Sequence, residues 1–503
     1  SFLLYHLIFM TTSIVQFIDI LEFGEYHFAT LKNVVIDRDI DGRLVYMAGG
    51  EAVIFRVTIE GVPFALKCYT VEKRNLKEKY ARIKVLSESE PIIPKMTYLE
   101  KELSICDIYG DLQWVDILIY AWVEGVTLLQ YIENSTNLYD KSVLFSLCHN
   151  FILFARRILA FPFTHGDIKP QNIIIGNDGK MSLIDYDMAF YDDMPCDETV
   201  RTQWYQHPLS TSWDDSYSIA TIVVSLFLIS LKPLLFHHHH NGENIIIDTY
   251  KVTNKGTLNS EICSILAPYP NYMYLFDIVS SPYPLKRDIL PILENIYGDK
   301  PSSCDVVDHS GELRRVVNGD GLYGFVDQNN KLVVGCCYGD ATKFNDGVAG
   351  VRLQDKWYLF DVSGLLAVED AFENIGVSID GYMPVSKYGR WAYINSYTFK
   401  RTTNEDYQYL YPLSCGVGLA CEEDEFFFIN VNGNRIFGAN TFTFATSFVG
   451  ELAIVEKEKY YIIDIHGCRV SEYFDSRILR FDDNRIYYLN GADVVVSKEF
   501  CRI

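Results

Sequence analysis

The pattern of apolar and polar positions divides the chain into two halves of different character. In the first half, apolar residues recur at helical spacing between Val71 and Glu88, and an apolar helix is predicted from Ile219 to Leu231. Side chains three or four residues apart share one face of a helix, which makes the first an amphipathic helix and the second a buried one. From about Asp305 onward, short β-branched and aromatic runs alternate with glycine and aspartate. This second pattern predicts short strands joined by tight turns.

An aromatic residue recurs in the second half with an almost constant period. The steps between successive positions are 34, 34, 35 and 34 residues, and each position opens a short apolar strand that ends on Asp or Asn: Tyr323, Trp357, Trp391, Phe426 and Tyr460. A shorter step leads to Tyr487, in a final repeat. A period of this length predicts a stack of hairpins, each of which buries a core shared with its neighbours.

These repeats resemble WG repeats, which are named for a Trp-Gly dipeptide that survives best here as Tyr323-Gly324. The resemblance implies an all-β repeat domain at residues 305–503, either a closed propeller or an open solenoid of hairpins. The recurring aromatics would lie mainly in its core. Repeat arrays usually present a binding surface, so we expect this domain to bind a protein partner or to recruit a substrate.

The first half contains a predicted hairpin that is flanked by polar residues. An apolar strand from Ile173 to Ile175 is followed by a Gly-Asn-Asp-Gly turn and by a second strand that leads to Asp185. Pairing of these strands would bring Asp167 and Asn172 close to Asp185. Such a group fits phosphoryl transfer, because one carboxylate orients the attacking hydroxyl while the amide and the second carboxylate hold magnesium.

The segment His-Gly-Asp-Ile-Lys-Pro-Gln-Asn at residues 165–172, together with the Asp-Tyr-Asp that follows the hairpin, resembles the catalytic core of protein kinases. The resemblance implies a bilobal kinase-like fold that uses ATP and Mg2+. It implies that Asp167 is the catalytic base and that Lys169 steadies the transferred phosphoryl group. Asn172 and Asp185 would bind the metal.

Two segments upstream of this core resemble the nucleotide-binding elements of kinases. An apolar strand that carries Lys67 resembles the strand whose lysine grips the α- and β-phosphates, with Ala65 lying against the adenine. The preceding segment resembles a degenerate glycine-rich loop, in which Gly49 and Gly50 approach the phosphates and Ile54 covers the base.

Kinases pair the phosphate-binding lysine with a glutamate on a helix. Glu78, near the middle of the predicted amphipathic helix, is the candidate for this role, and Glu72 and Glu88 are alternatives. A solvated surface charge is an equally good interpretation of Glu78.

Two further segments extend the resemblance. Trp122 and Val123 lie in a segment similar to the hinge between the kinase lobes, whose main-chain groups bind the edge of the adenine. Asp215, near the start of the apolar helix, would accept backbone hydrogen bonds from the catalytic loop, where His165 has a supporting role. The dipeptide His207-Pro208 corresponds in part to the Ala-Pro-Glu motif of kinases.

Two positions depart from the protein-kinase pattern. Gly166 replaces the arginine of His-Arg-Asp, which argues against control through a phosphorylated activation loop. His-Gly-Asp also occurs in small-molecule kinases such as aminoglycoside phosphotransferases. Tyr186-Asp187 replaces Phe-Gly, and Asp187 is either a third carboxylate near the metals or a local cap or turn.

Composition narrows the class of protein and of partner. A chain of 503 residues, of which 49% are hydrophobic, predicts more than one packed domain. A net charge of −22 makes nucleic acid and anionic membranes poor partners. The apolar run that begins at Ile219 is too short to span a bilayer. The 12 cysteines form no Cys-x-x-Cys pair, which suits reduced thiols and a cytoplasmic location.

We therefore predict an α+β chain with a bilobal kinase-like domain at residues 10–300 and the WG-type repeats at 305–503. The N-lobe would end at about residue 120 and the C-lobe would begin at about 126. The leading function is a Ser/Thr protein kinase that uses ATP and Mg2+. The alternatives are a small-molecule phosphotransferase, favoured by His-Gly-Asp, and a pseudokinase scaffold, favoured by the loose glycine loop.

Overall fold

The structure, a computed structural model, describes residues 13–23, 26–71, 73, 75–106, 112–194, 204–210, 214–254, 256–300, 302–308, 310–482, 485–491 and 493–496. The chain divides into two compact units. One extends to Leu266 and includes Tyr272–Leu290, and the other comprises Ala267–Asn271 and the chain from Pro291 onward. The division falls before the predicted boundary between the kinase-like domain, which was expected to end at residue 300, and the repeats.

The second unit begins this early because the helix Leu290–Ile296 is bonded to a strand of that unit. The Asn295 amide donates to the Cys336 carbonyl at 3.3 Å, and its oxygen accepts the Cys336 N–H at 3.0 Å. These two bonds satisfy backbone groups that would otherwise be unpaired in a buried position.

The first unit opens with a helix and a sheet of seven antiparallel strands. Its first elements are α1 (Ile14–Phe23), β1 (His27–Phe28), β2 (Val34–Ile36), β3 (Tyr46–Ala48), β4 (Ala52–Ile59), β5 (Val62–Tyr69), α2 (Leu76–Ser87), β6 (Met96–Cys106) and β7 (Leu112–Ala121). The strand order is β1-β6-β7-β5-β4-β2, and β3 also pairs with β4. Phe17 of α1 is fully buried against the sheet in a cluster that includes Phe55 and Leu66, and its burial contributes roughly 1.5–3 kcal/mol.

Helices dominate the remainder of this unit. The elements that follow are β8 (Gly125–Thr127), α3 (Leu128–Asn137), α4 (Lys141–Leu159), β9 (Ile173–Gly176), β10 (Met181–Leu183), α5 (Asp215–Leu231), α6 (Leu234–His239), α7 (Thr249–Thr253), α8 (Thr257–Leu266) and α9 (Pro270–Ser280). The next helix, α10 (Leu290–Ile296), belongs to the second unit from Pro291 onward. The predicted hairpin is present, since β9 pairs antiparallel with β10 and Ile173 lies opposite Leu183. Thr127 and Gln130 form a capping box that starts α3 directly after β8.

The predicted apolar helix is α5, and it is buried from Tyr217 to Ser230. It packs beside α4, where Phe145 lies 6.4 Å from Phe227 between ring centroids and the Cys148 thiol contacts a carbonyl of α5. Of the helices that the structure describes, α4 has the length and apolar composition of a membrane span. Its burial against α5 is the arrangement of a core helix, which has the same composition.

The second unit is built from small antiparallel sheets. Its strands are β11 (Gly298–Asp299), β12 (Asp305–Val306), β13 (Arg314–Val317), β14 (Tyr323–Val326), β15 (Lys331–Tyr338), β16 (Asp340–Ala341), β17 (Val348–Leu353), β18 (Lys356–Asp361), β19 (Asn374–Ile375), β20 (Tyr382–Lys387), β21 (Arg390–Asn395), β22 (Tyr409–Leu410), β23 (Gly418–Glu422), β24 (Glu425–Ile429), β25 (Phe444–Ala445), β26 (Leu452–Glu456), β27 (Tyr460–Asp464), β28 (Ile478–Phe481), β29 (Ile486–Asn490) and β30 (Asp493–Val496). A five-stranded sheet, β11-β15-β14-β13-β12, is followed by sheets of three strands. The predicted hairpins are present, but from β16 onward a third short strand joins each of them.

The recurring aromatics connect consecutive repeats through their backbone. Trp357 exchanges two hydrogen bonds with Phe372, at 2.8 and 2.9 Å, just before the first strand of the next sheet. The same pairing recurs at Trp391, Phe426 and Tyr460, with Tyr407, Phe442 and Phe474 as their partners. The periodic aromatic is therefore the position at which one repeat is joined to the next.

The recurring aromatics are partly buried, whereas the sequence predicted that they lie mainly in the core. The fully buried position is two residues later, at residues 325, 359, 393, 428 and 462, where at most 2% of the side chain is exposed. Alternate residues of a strand share one face, so the aromatics point to the same side. They lie at the start of the strand, where their side chains stay partly exposed.

Candidate active site

The loop between α4 and β9 brings together three of the predicted site residues. Lys169 Nζ donates to Asp167 Oδ2 at 2.7 Å, and Asn172 Nδ2 donates to the same oxygen at 2.8 Å. Asn172 Nδ2 also lies 2.9 Å from the Asp167 carbonyl. Asp167 and Asn172 are buried, while Lys169 is partly exposed. These contacts orient the Asp167 carboxylate, as a general base requires.

The hairpin places Asp185 beside this loop. The Ile184 N–H donates to the Asn172 carbonyl at 2.9 Å, which brings the end of β10 next to the 3-10 turn that contains Asn172. Asp185 has a left-handed backbone with a φ of 64°, which is uncommon for residues other than glycine. Strained backbone of this kind clusters at active sites, where it aims a side chain.

Asp215 supports the catalytic loop from the first turn of α5. Its carboxylate accepts the His165 N–H at 2.7 Å and the Gly166 N–H at 3.0 Å. Burial raises the pKa of Asp215 to about 7, although both hydrogen bonds oppose this shift. These are the backbone contacts that the kinase resemblance implied for Asp215.

His165 is fully buried below the loop. Burial lowers the pKa of His165, so the ring is neutral at physiological pH. Its Nε2 lies 3.2 Å from the Ile184 carbonyl, and its ring lies edge-on to Tyr186 with the centroids 4.9 Å apart. His165 therefore connects the catalytic loop to the segment that carries Asp185.

Gly166, the position at which the chain departs from His-Arg-Asp, has a steric requirement for glycine. Its φ is +80°, and a Cβ at this position would lie 2.7 Å from the Met188 carbonyl oxygen. A side chain here would need both a left-handed backbone and a displacement of the segment after Asp185.

We expect Gly166→Ala to lower the free energy of unfolding by roughly 2–5 kcal/mol, the sum of the left-handed backbone and the steric overlap. Gly179→Ala is a matched control, because Gly179 has a φ of +77° but nothing within 4 Å of its Cβ position. It should lose only about 1–2 kcal/mol. Denaturant unfolding of both variants measures the difference, and equal losses would contradict the predicted overlap.

Lys67 lies buried on β5 between two carboxylates. Its Nζ is 2.7 Å from Asp185 Oδ1 and 2.8 Å from Asp187 Oδ2. The Lys67 side chain is 6% exposed, that of Asp187 8%, and that of Asp185 35%. Burial disfavours the ammonium, but Asp185 and Asp187 outweigh this effect and hold the pKa of Lys67 well above its ordinary value. Lys67 is therefore a cation at the predicted phosphate site.

The predicted pairing of Lys67 with Glu78 is wrong. Glu78 lies in the first turn of α2 with an exposed side chain, 2.7 Å from Arg82. The face of α2 that points inward carries Lys79 and Tyr80, both of which are buried. Successive residues of an α-helix are rotated by about 100° around its axis, and this rotation turns Glu78 away from the buried stripe of α2.

Of the two alternative glutamates, the structure describes only Glu88. Glu88 follows the last turn of α2 and pairs with Lys95 at 3.1 Å. Glu72 lies outside the described residues.

The buried carboxylate partner of Lys67 is Asp187, which the sequence left open as a third carboxylate or a local turn. Its Oδ1 accepts a hydrogen bond from the Tyr69 hydroxyl at 3.1 Å and another from the Tyr80 hydroxyl. The available signal was the second aspartate of Asp-Tyr-Asp, where protein kinases have glycine.

The segment predicted to be a glycine-rich loop is the turn between β3 and β4. The Gly49 N–H donates to the Ala52 carbonyl at 2.9 Å, and both Gly49 and Gly50 are exposed. A Cβ would fit at either position, so the packing of the protein itself does not require glycine there. Ile54 is partly buried on β4 and lies opposite Lys67 in the strand register.

Ala65 is buried on β5 and lies opposite Tyr120 of β7. The hinge segment follows β7, and one of its predicted main-chain donors is already used, since the Trp122 N–H donates to the Pro63 carbonyl at 3.3 Å. The main-chain groups that are left for the predicted contact with the adenine edge are the Trp122 carbonyl and those of Val123.

The residues suited to a metal are Asp185 and Asn172. Across the described part of the chain, no group of three or more His, Cys, Asp or Glu side chains has the arrangement of a metal site. Magnesium in phosphotransferases does not need such a group, because one or two protein ligands and the substrate phosphates suffice. Asp185 is partly exposed, and both hydrogen bonds of the Asn172 side chain described above use its nitrogen, which suits its oxygen to a cation.

Two segments of the chain match known families. Residues 88–216 match the ABC1 atypical kinase-like domain, and residues 323–357 match the WG containing repeat. The first segment contains the catalytic loop, the β9–β10 hairpin and the beginning of α5. The second segment connects the first two of the recurring aromatics.

The chain is also similar to two proteins that are named as protein kinases. It is 26% identical over 135 residues to "Probable cyclin-dependent kinase 10" of Dictyostelium discoideum, and 27% identical over 151 residues to "Mitogen-activated protein kinase 12" of Danio rerio. These matches cover 26% and 29% of this chain, but only 37% and 38% of the two relatives. The chain thus carries a kinase-like domain followed by WG repeat sequence.

Proposed function

We propose that the first unit is a protein kinase that transfers the γ-phosphoryl group of ATP, in the presence of Mg2+, to a serine or threonine hydroxyl. The observation that carries this proposal is the catalytic loop, in which one oxygen of the buried Asp167 carboxylate accepts hydrogen bonds from Lys169 and Asn172. That arrangement orients a base and keeps a cation within 3 Å of it, which serves a reaction that develops negative charge on the transferred group.

Each of the other site residues has a role in this proposal. Lys67 would contact the α- and β-phosphates, and Asp185 and Asn172 would hold Mg2+, which neutralises charge on the triphosphate. Gly49 and Gly50 would lie near the phosphates, since nothing in the packing of the protein explains their lack of a side chain.

In this proposal, the adenine contacts residues of the strands and of the hinge segment. Ala65 and Ile54 would contact the adenine ring, and the main chain of Val123 would bind its edge.

The alternative of a small-molecule phosphotransferase loses part of its support in the structure. Its main argument was the glycine of His-Gly-Asp, but the backbone angle at Gly166 and the nearby Met188 carbonyl account for that glycine without reference to the acceptor. Lys169, which is typical of Ser/Thr kinases, contacts Asp167 directly. We therefore favour a protein acceptor.

The proposal extends to the WG repeats, which we infer bind a protein partner or recruit the substrate. Several tyrosines of the second unit are more than half exposed, among them Tyr388 at 92%, Tyr397 at 67% and Tyr473 at 56%. Tyrosine is enriched at protein interfaces because its ring offers a large contact area at a low cost in conformational entropy.

The test is transfer of label from γ-labelled ATP, with Mg2+, by the full chain. A basic test protein is one acceptor, because the chain carries a net charge of −22, and an aminoglycoside is the other. We expect label on the protein acceptor and its loss when EDTA removes the metal. Label on the aminoglycoside alone would establish the small-molecule alternative. An absence of both transfer and ATP binding would establish a pseudokinase scaffold.

A further inference from the structure

The buried ammonium of Lys67, at the predicted phosphate site, needs a permanent counter-ion. Helix α2 does not supply one. In the kinases that this unit resembles, the counter-ion is a glutamate on the corresponding helix. Here the inward face of α2 presents the Lys79 ammonium and the Tyr80 hydroxyl, while Glu78 is exposed and paired with Arg82. The helix therefore offers hydrogen-bond donors where an acceptor is expected.

We propose that Asp187 is the resident counter-ion of Lys67 and positions its ammonium for the nucleotide phosphates, in place of a helical glutamate. This inference rests on the proposed function, because it assigns a positioning residue to that reaction. The Asp187 carboxylate lies 2.8 Å from Lys67 Nζ and is only 8% exposed.

The other carboxylate near Lys67 is not suited to this role. Asp185 is 35% exposed, and the proposed function assigns its carboxylate to Mg2+. A carboxylate that coordinates Mg2+ shares its charge with the metal, which weakens its attraction for Lys67. Asp187, which lies deeper, remains available for the ammonium.

Two structural elements hold the Asp187 carboxylate in place. The hydroxyl of Tyr69 on β5 and the hydroxyl of Tyr80 on α2 both donate to its Oδ1, which leaves Oδ2 for Lys67. Lys79 Nζ donates to the Asp187 carbonyl, so α2 holds the main chain as well. The carboxylate is thus oriented from the strand that carries Lys67 and from the helix.

The charge on Asp187 is balanced within the same site. A second ammonium, Lys73 Nζ, lies 3.6 Å from its Oδ2. Burial alone would raise the pKa of Asp187, but Lys67 and Lys73 outweigh it and hold this pKa below its ordinary value. The two ammonium groups, at 2.8 and 3.6 Å, therefore offset the buried charge of Asp187.

Because Asp185 and Asp187 lie in one turn, the same short segment would hold both the metal and the phosphate-binding lysine. A kinase with a helical glutamate aligns these groups through two separate elements. Among the described contacts, α2 reaches Lys67 through Asp187, by way of the Tyr80 hydroxyl and Lys79.

The test compares the full chain with Asp187→Asn and Glu78→Gln, and with Asp41→Asn as a matched surface control. In the assay of label transfer, we expect Asp187→Asn to lower kcat by about 100-fold, because a misplaced ammonium costs that much in alignment. Glu78→Gln and Asp41→Asn should keep the rate of the unchanged chain. Full activity of Asp187→Asn, or a comparable loss in Glu78→Gln, would overturn the inference.

A second measurement does not depend on activity. Acetic anhydride acylates neutral amines, and mass spectrometry gives the rates at Lys67 and at Lys79, both buried. Without the Asp187 charge, the Lys67 ammonium should lose its proton more easily and be acylated faster, so the ratio of the Lys67 to the Lys79 acylation rate should rise at least threefold. A general loosening of the fold would raise both acylation rates together. An unchanged ratio would overturn the inference even if no substrate is phosphorylated, and a raised ratio would support it in that case.

Tyr80→Phe provides a further variant in case Asp187→Asn does not fold. It removes one donor to the Asp187 carboxylate and leaves the charge in place. We expect kcat to fall by about tenfold, since a hydrogen bond to a charged group is lost. An unchanged kcat in an active, folded Tyr80→Phe chain would count against the inference.

Discussion

Asp167→Asn should lower kcat for phosphoryl transfer by about 10²–10⁴-fold, the usual contribution of general base catalysis. Asparagine has almost the same shape and keeps an oxygen for Lys169 and Asn172, so the loop should retain its conformation. It cannot accept a proton from the attacking hydroxyl. The measurement is the transfer of label from γ-labelled ATP under saturating nucleotide.

The same variant should bind ATP with nearly unchanged affinity, because the proposed role of Asp167 is toward the acceptor hydroxyl and not toward the phosphates that Lys67 would contact. Asp41→Asn, on the exposed turn before β3, is the matched control and should transfer at the normal rate. A fully active Asp167→Asn chain would mean that another group accepts the proton, and the assigned role would be wrong.

Lys67→Met should destabilise the kinase-like unit by about 3–5 kcal/mol at neutral pH. Methionine fills a similar volume, so the loss comes mainly from electrostatics. Asp187 is 8% exposed, and without the Lys67 ammonium 2.8 Å away its charge has lost its nearest partner. Removing one member of a buried ion pair costs far more than removing both, because the remaining charge stays desolvated. Denaturant unfolding measures the loss.

The loss should grow as the pH rises. In the unchanged chain, the pKa of Asp187 in the folded state lies below its ordinary value of 3.8, so its stabilising contribution is present above that value and is lost as the pH falls. In Lys67→Met, burial without the ammonium should raise this pKa, so that stability falls as the pH rises above 3.8. The two chains should therefore be closest in stability in acid and furthest apart near neutrality.

The double variant Lys67→Met/Asp187→Asn tests the origin of the loss. It removes the buried charge that has lost its nearest partner, so it should be more stable than Lys67→Met alone by about 0.5–3 kcal/mol, the usual coupling of residues in contact. A double variant less stable than Lys67→Met would mean that the loss of stability comes from packing around residue 67 and not from the buried Asp187 carboxylate.

Much of the fold follows from local patterns in the sequence. The hairpin of β9 and β10 was predictable because an apolar run, a Gly-Asn-Asp-Gly turn and a second apolar run specify an antiparallel pair over a few residues. The apolar run at residues 219–231 predicted α5, which is buried on all sides. The period of 34–35 residues predicted the β-repeats, whose small sheets follow the recurring aromatics.

The catalytic loop was equally predictable from the sequence. Asp167, Lys169 and Asn172 lie within six residues, and a short segment with a proline can bring its own side chains together without help from distant parts of the chain. The contact of Asp215 with this loop spans about 50 residues and came from the resemblance to kinases, not from spacing.

The sequence by itself determined the periods, turns and short motifs of this protein: the hairpin, the buried helix, the repeats and the residues of the catalytic loop. Only the tertiary structure decided which carboxylate meets Lys67. The rotation of α2 turns Glu78 outward and Tyr80 inward, and the path of the chain after β10 brings Asp187 under β5. These contacts join residues more than 100 positions apart, and their geometry depends on how a helix, a strand and a turn pack together, which no local pattern specifies.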